Sequence, residues 1–211
     1  MNKRIVMIFF YILELKEVHK SMHVLHKVLA RLDELGIELS EDKPKEEQLL
    51  EVRKEVLSTL DEYAAGVAYD WREDTAGRWA NIYPNNVILG KYDSQNLISE
   101  IKNAKAYQDE TVMDAIKIID GNNSVSLMDF WKMIQNSSFS SPRTEDGKTS
   151  EEKSKIYVSA CYLRDYIGGK FTWNIPFIDP IRDDVVITDS TIKEIIDSPE
   201  NFALVFVDCH Y

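Results

Sequence analysis

Residues 11–32 read YILELKEVHKSMHVLHKVLARL, and their pattern decides the fold that the sequence predicts. Apolar residues follow one another there in alternating steps of four and three, which is the spacing of a single stripe along a helix. Gly36 is a suitable end, because glycine accepts the left-handed conformation that follows a last helical residue. The sequence therefore predicts a helix over residues 11–35, with this stripe: Tyr11, Leu15, Val18, Met22, Leu25, Leu29 and Leu32.

A second stripe follows a polar link at residues 40–45 and predicts another helix over residues 46–69. Two amphipathic helices joined by a short connection favour an antiparallel hairpin that buries one stripe against the other. Upstream, residues 4–13 fit either a strand or the start of the first helix. The second stripe consists of Leu49, Val52, Val56, Leu60, Tyr63 and Val67.

The apolar run Ile5 to Leu13 follows Lys3 and Arg4, an order that superficially resembles a secretion signal. The run is short for a membrane span, and Glu14 follows where small residues for cleavage are expected. We interpret it as part of the buried core, with a secretion signal as the alternative.

The rest of the chain predicts shorter elements. A β-hairpin is expected near residues 79–89, around Pro84-Asn85-Asn86, with helical patterns after it. The predicted fold class is α+β, mostly α: an N-terminal antiparallel helical hairpin, additional helices and a small, largely antiparallel sheet. The predicted organisation is a helical region over 1–135, a surface loop over 136–150, and an α+β segment over 151–211 packed on the first part as one domain.

Charge and cysteine content exclude several function classes. The 211 residues include 25 Lys and Arg against 36 Asp and Glu, a formal net charge of −11. Nucleic acid and anionic membranes attract a positive face, so neither is expected as a partner. Cys161 and Cys209 lack the spacing of a zinc motif and are too few for a disulfide framework. We expect reduced thiols and a cytoplasmic protein.

The metal candidates are histidines in the predicted first helix. His19 and His23 stand four residues apart, a helical spacing at which two imidazoles can share a zinc ion. No third ligand can be selected from the sequence, and a helix flank with half-polar rings explains the pattern equally well. We therefore predict neither a metal nor a cofactor, and retain His19 and His23 as weak candidates.

The catalytic candidates lie in a predicted C-terminal strand and in one aromatic stretch. Asp208 and His210 alternate onto one face of a predicted C-terminal strand, while Cys209 takes the other face. The Trp71–Trp79 stretch is rich in aromatic and charged side chains, which could stack on a ligand or complete the core. No phosphate-loop, dinucleotide, nucleophile-elbow or calcium-loop motif is present.

The function predicted from these observations is a non-catalytic acidic protein, of immunity, inhibitor or adaptor type, that covers a basic surface of a partner. Residues 151–211 hold 11 acids and 6 bases, and the expected partner-binding residues are Asp179, Asp183, Asp184 and Asp189. Acidic surfaces steer association with basic partners. The alternatives are a small enzyme that uses Asp208 and His210 or the Trp71–Trp79 cluster, and a module that oligomerises through the first helix. A small-molecule ligand is left open.

Overall fold

The computed structural model describes residues 23–64, 71–72, 77–79, 82–121, 151–168, 177–182 and 185–210. Its helices are α1 (Lys45–Ala64), α2 (Ser94–Asp120), α3 (Glu151–Ile167) and α4 (Asp189–Asp197). Its strands are β1 (His23–Arg31), β2 (Trp71–Arg72), β3 (Val87–Leu89), β4 (Phe177–Ile178) and β5 (Phe202–His210). Short 3-10 turns cover Gly77–Trp79, Pro84–Asn86 and Pro199–Asn201. The predicted α+β class is confirmed.

The sheet is built around β5, the C-terminal strand of the chain. β5 pairs antiparallel with β1 along all nine of its residues, from Phe202 opposite Arg31 to His210 opposite His23. β2 and β3 pair antiparallel with β5, and β4 pairs parallel with β1. The sheet is therefore mixed, with one parallel pairing in what the sequence predicted as a largely antiparallel sheet.

Helices cover both faces of this sheet. Residues directly opposite each other on paired strands point to the same side. Leu29, Leu204 and Phe206 thus share one face, where they pack with Leu97 of α2 and Ile195 of α4. The other face carries residues such as Val28 and Val205, and α1 contacts β1, β3 and β5. The result is a three-layer arrangement in which β1 and β5 are buried on both sides.

The predicted first helix is wrong over its C-terminal part, because residues 23–31 form β1, and the predicted helical hairpin is not supported. A strand that is covered on both faces is apolar on both faces, so the alternation that normally marks a strand disappears. Val24, Leu25, Val28 and Leu29 then fit a helical stripe equally well. The remainder of that prediction, including residues 4–13, lies outside the described residues.

Other predictions hold where their signals were local. The second stripe forms α1, which buries Leu49, Val52, Val56 and Leu60, and the predicted C-terminal strand forms as β5. The helical patterns after Asp93 belong to one continuous helix, α2. The predicted loop at 136–150 lies outside the described residues.

The β-hairpin predicted near residues 79–89 is also wrong. Trp79 ends a 3-10 turn, and the strand β3 pairs with β5 instead of turning back on residues near Trp79. The turn at Pro84 is present, but Asn85 and Asn86 both have positive φ, 53° and 55°. Asparagine tolerates this left-handed conformation better than most residues.

The chain divides into two compact units. The larger unit contains the described residues of 21–108 and 169–211, and therefore the whole sheet. The smaller unit contains those of 109–168, where α3 buries Ile156, Ala160 and Tyr162. Strands from both sides of the predicted 136–150 loop thus belong to the same sheet. Among the described residues, no helix is long and apolar enough to cross a membrane.

Candidate functional site

A buried ion pair joins β1 to the turn after β4. Arg31 Nε donates to Asp179 Oδ2 at 2.8 Å, and both side chains are at most 3% exposed. Arg31 Nη1 also donates to Glu194 Oε1 of α4 at 2.8 Å, and the guanidinium lies 5.2 Å from the centre of the Phe202 ring. Arg31 thus connects the turn after β4 and helix α4 to β1.

Arg182 extends this pair to the protein surface. Its backbone N–H donates to Asp179 Oδ1 at 3.3 Å, and its guanidinium donates to Glu194 and Glu34. Burial raises the pKa of Asp179, and the bonds from Arg31 and the Arg182 N–H offset this only in part. Burial also raises the pKa of Glu194, but its bonds to the two arginines outweigh that effect and leave the pKa lowered.

The predicted partner-binding residues therefore do not form one exposed group. Asp179 is 2% exposed and is used internally, so the expectation that it contributes to an exposed acidic surface is wrong. Asp183 and Asp184 lie outside the described residues. Asp189 is exposed at the start of α4, with its carboxylate 3.8 Å from Lys105 Nζ.

The outer side of α4 carries further acids. Residues 189, 193, 196 and 197 lie on one side of a helix because of its 3.6-residue period. On this side Asp189, Lys193 and Asp197 are exposed, and Ile196 is 44% exposed between them. Glu200 follows, also exposed, in the turn after the helix. We call Asp189, Ile196, Asp197 and Glu200 the acidic face.

The segment before α4 is attached to α2 by one side chain. Gln108 is 1% exposed; its Nε2 donates to Val185 O at 2.7 Å, and its Oε1 accepts from Ile187 N–H at 3.1 Å. The N-cap of α4 is Thr188, whose Oγ1 accepts from Thr191 N–H. Thr188 thus follows directly after residues 185–187, the segment that Gln108 binds.

A second polar cluster lies on the same face of the sheet. Glu100 of α2 accepts from Lys27 Nζ at 2.7 Å and from Tyr83 Oη at 2.9 Å, so both of its carboxylate oxygens are engaged. Burial raises the pKa of Glu100, but these two hydrogen bonds outweigh it and the pKa is lowered. Burial, together with the bond to Glu100, raises the pKa of Tyr83 to about 12. Tyr83 stacks on Phe206 at 5.2 Å between ring centroids.

The structure brings together two catalytic candidates that the sequence treated separately. Asp208 is fully buried, and a side chain at position 77 would overlap its carboxylate, so only glycine fits there. Gly77 has φ of +51° and belongs to the Trp71–Trp79 cluster, so a turn of that cluster packs directly on Asp208. Cys209 is buried on the opposite face of β5. The side chain of His210 lies outside the described residues.

The remaining candidates can be placed only in part. His23 belongs to a strand, so the helical spacing assumed for His19 and His23 does not apply at His23, and His19 lies outside the described residues. Among the described residues, no three potential ligands are grouped in a way that could hold a metal ion. Burial raises the pKa of the Cys161 thiol to about 11.

The sequence reasoning missed Arg31, Glu100 and Gln108. Each joins parts of the chain that are distant in sequence, for example Arg31 and Asp179 at a separation of 148 residues. No local sequence pattern marks such pairs. The one available signal was Arg31 itself, a charged residue at the end of an apolar run.

Comparison with protein-family models, with curated proteins and with solved structures finds no match for this chain.

Proposed function

We propose that this protein is a non-catalytic binding protein, of immunity, inhibitor or adaptor type, that covers a basic surface of a partner protein with its acidic face. The observation that carries the proposal is the combination of exposed acids on α4 and in the turn after it, Asp189, Asp197 and Glu200, with the exposed side chain of Ile196. An apolar contact surrounded by polar and charged groups is the usual anatomy of a protein interface.

The internal attachments of α4 support the proposal. Arg31 holds Glu194, Gln108 holds the segment before the helix, and Ile195 packs in the core. A face held in this way loses little conformational freedom on binding, which favours affinity. The acids on the outer side of α4 are separate from Asp179 and Glu194, which neutralise arginines within the fold.

The positions of the catalytic candidates also favour binding over catalysis. Asp208 is fully buried beneath Gly77. A general base has to reach the proton that it abstracts, either directly or through one water molecule. The buried Asp208 carboxylate does not meet that condition in the described conformation.

The test is charge reversal on the acidic face. A partner is first isolated from the native host and purified, and its association with the Asp197→Lys/Glu200→Lys variant is then measured by surface plasmon resonance at two salt concentrations. Lysine is acceptable near the C-terminal end of a helix, so the fold should persist. We expect association to slow by about tenfold at low salt, with a much smaller change in dissociation.

The matched control is Glu41→Lys/Glu55→Lys, which makes the same change in net charge at exposed positions before and on α1. If the control slows association as much as the α4 variant does, net charge rather than the acidic face is responsible. If both variants bind normally while a folded Asp208→Asn variant loses its activity in the host, the proposal is wrong and the enzyme alternative is favoured.

A further inference from the structure

Gln108 makes two hydrogen bonds to the backbone of one short segment, and together they resemble the pairing of a strand. Its amide donates to Val185 O and accepts from Ile187 N–H, the two groups that a neighbouring peptide unit would satisfy in a sheet. Val185 and Ile187 are themselves buried. Residues 185–188 belong to no strand in the structure.

We infer that Gln108 is the positioning residue of the acidic face: its side-chain amide substitutes for a strand, and thereby fixes where α4 begins. Thr188, the next residue after Ile187, caps α4 through its Oγ1 and also accepts from Ile192 N–H through its backbone oxygen. A displacement of Ile187 would therefore reach the first turn of α4 directly. The functional part of this inference rests on the proposed function; the structural part does not.

The contacts of Glu194 define how far the effect extends. Arg31 Nη1 and Arg182 both bind Glu194, one turn before the end of the helix. With that contact intact, loss of the Gln108 bonds should loosen the first turn of α4 and leave the region near Glu194 in place. The inference therefore predicts a local change with a defined position.

Gln108→Glu tests this, because glutamate has nearly the same shape but a different donor set. An ionised carboxylate accepts from Ile187 N–H but faces the Val185 carbonyl oxygen without a proton to donate, whereas a protonated carboxyl can make both bonds. Burial and this contact raise the pKa of the new carboxyl in the folded state. Its folded pKa then exceeds its unfolded pKa, so the attachment is present at low pH and is lost as pH rises through the folded value.

The measurement is amide hydrogen exchange, expressed as protection factors, at about pH 5 and about pH 8. In Gln108→Glu we expect protection of the Thr191 and Ile192 N–H groups, in the first turn of α4, to fall by about tenfold at the higher pH and to recover at the lower pH. The wild type should show no such difference. Gln108→Met, which loses both bonds, should show the reduced protection at both pH values.

The matched control is Gln48→Glu. Gln48 is also fully buried, and its Nε2 donates to a backbone oxygen, that of Lys43, at 2.7 Å, and to Tyr92 Oη. This control should leave protection in α4 unchanged relative to the rest of the protein. Equal losses in both variants, unchanged protection in Gln108→Glu at about pH 8, or failure of Gln108→Glu to fold at about pH 5 would each overturn the inference.

The exchange experiment needs no partner, so it is independent of the proposed function. Reduced protection in α4 together with normal partner binding by the Asp197→Lys/Glu200→Lys variant would leave Gln108 as the residue that holds α4 but would refute the binding role of the face. Unchanged protection in Gln108→Glu, together with impaired partner binding by Asp197→Lys/Glu200→Lys, would refute the role of Gln108 and support the binding role of the face.

Discussion

Lys27 and Arg31 lie four residues apart on the same face of β1, and each forms an ion pair with a distant carboxylate. The Arg31–Asp179 pair is enclosed, with side-chain exposures of 2% and 3%, whereas the Lys27–Glu100 pair is near the surface, at 18% and 22%. The distances differ by only 0.1 Å, 2.8 against 2.7 Å. What differs is the solvent that remains available to each charge when its partner is removed.

This comparison indicates that burial, rather than geometry, sets the contribution of a charged group to stability. A buried charge that loses its partner cannot be solvated, whereas a partly exposed charge is compensated by water. Substitutions in the Arg31–Asp179 pair, in the Lys27–Glu100 pair and in one exposed pair give a graded series.

The largest effect is expected for Arg31→Met, which leaves Asp179 and part of Glu194 without their cation. The free energy of unfolding should fall by about 3–5 kcal/mol, the usual cost of removing one member of a buried pair. Urea denaturation measures this. The Arg31→Met/Asp179→Asn double variant, which leaves no buried charge at the position, should recover a large part of the loss.

If the double variant is as unstable as the sum of the two single variants, the pair makes no coupled contribution. That result would contradict the explanation by burial, because the loss would then come from packing of the long Arg31 side chain against Phe202.

The sequence could predict elements that have a local pattern, but not contacts between residues that are far apart in the chain. α1 and β5 were predictable because a stripe or a continuous apolar run is a local signal. β1 was not, since its coverage on both faces removed the alternation of a strand. The Arg31–Asp179 and Gln108–Val185 contacts join residues 148 and 77 positions apart, and only the tertiary fold brings them together.

The candidate site was predictable in composition but not in arrangement. The acids of residues 179–189 were visible in the sequence, yet the burial of Asp179 depends on Arg31, which a helical interpretation of residues 11–35 placed in a different element. Asp189 remained exposed because it lies in the first turn of α4, outside the layer that contacts the sheet.

An intermediate effect is expected for Glu100→Gln. The amide keeps an acceptor but loses the charge that binds Lys27, so the free energy of unfolding should fall by about 1–2 kcal/mol at neutral pH. Partial exposure of both partners places the loss below that of Arg31→Met. Urea denaturation of wild type and variant at about pH 7 and about pH 3 gives the comparison.

The pH dependence of that difference follows from the lowered pKa of Glu100. A carboxylate with a folded pKa below its unfolded value stabilises the protein above the unfolded pKa, and the contribution is lost as pH falls through the folded pKa. The difference in stability between the two proteins should therefore shrink as pH falls below the unfolded pKa, and disappear below the folded pKa. A difference that stays constant with pH would show that the charge of Glu100 is irrelevant and that only shape matters.

The smallest effect is expected for the pair between Lys43 Nζ and Glu51 Oε2, which matches the other two in distance, at 2.8 Å, but is 45% and 48% exposed. The bond to Glu51 raises the pKa of Lys43, so an interaction is present. Water solvates either partner once the other is gone, and holding two long side chains together costs conformational entropy, so the two effects nearly cancel. Lys43→Gln should therefore leave the urea midpoint unchanged within error at both low and high salt. A loss as large as that of Glu100→Gln would mean that distance, and not burial, ranks the three pairs, and the explanation given for β1 would then have to be abandoned.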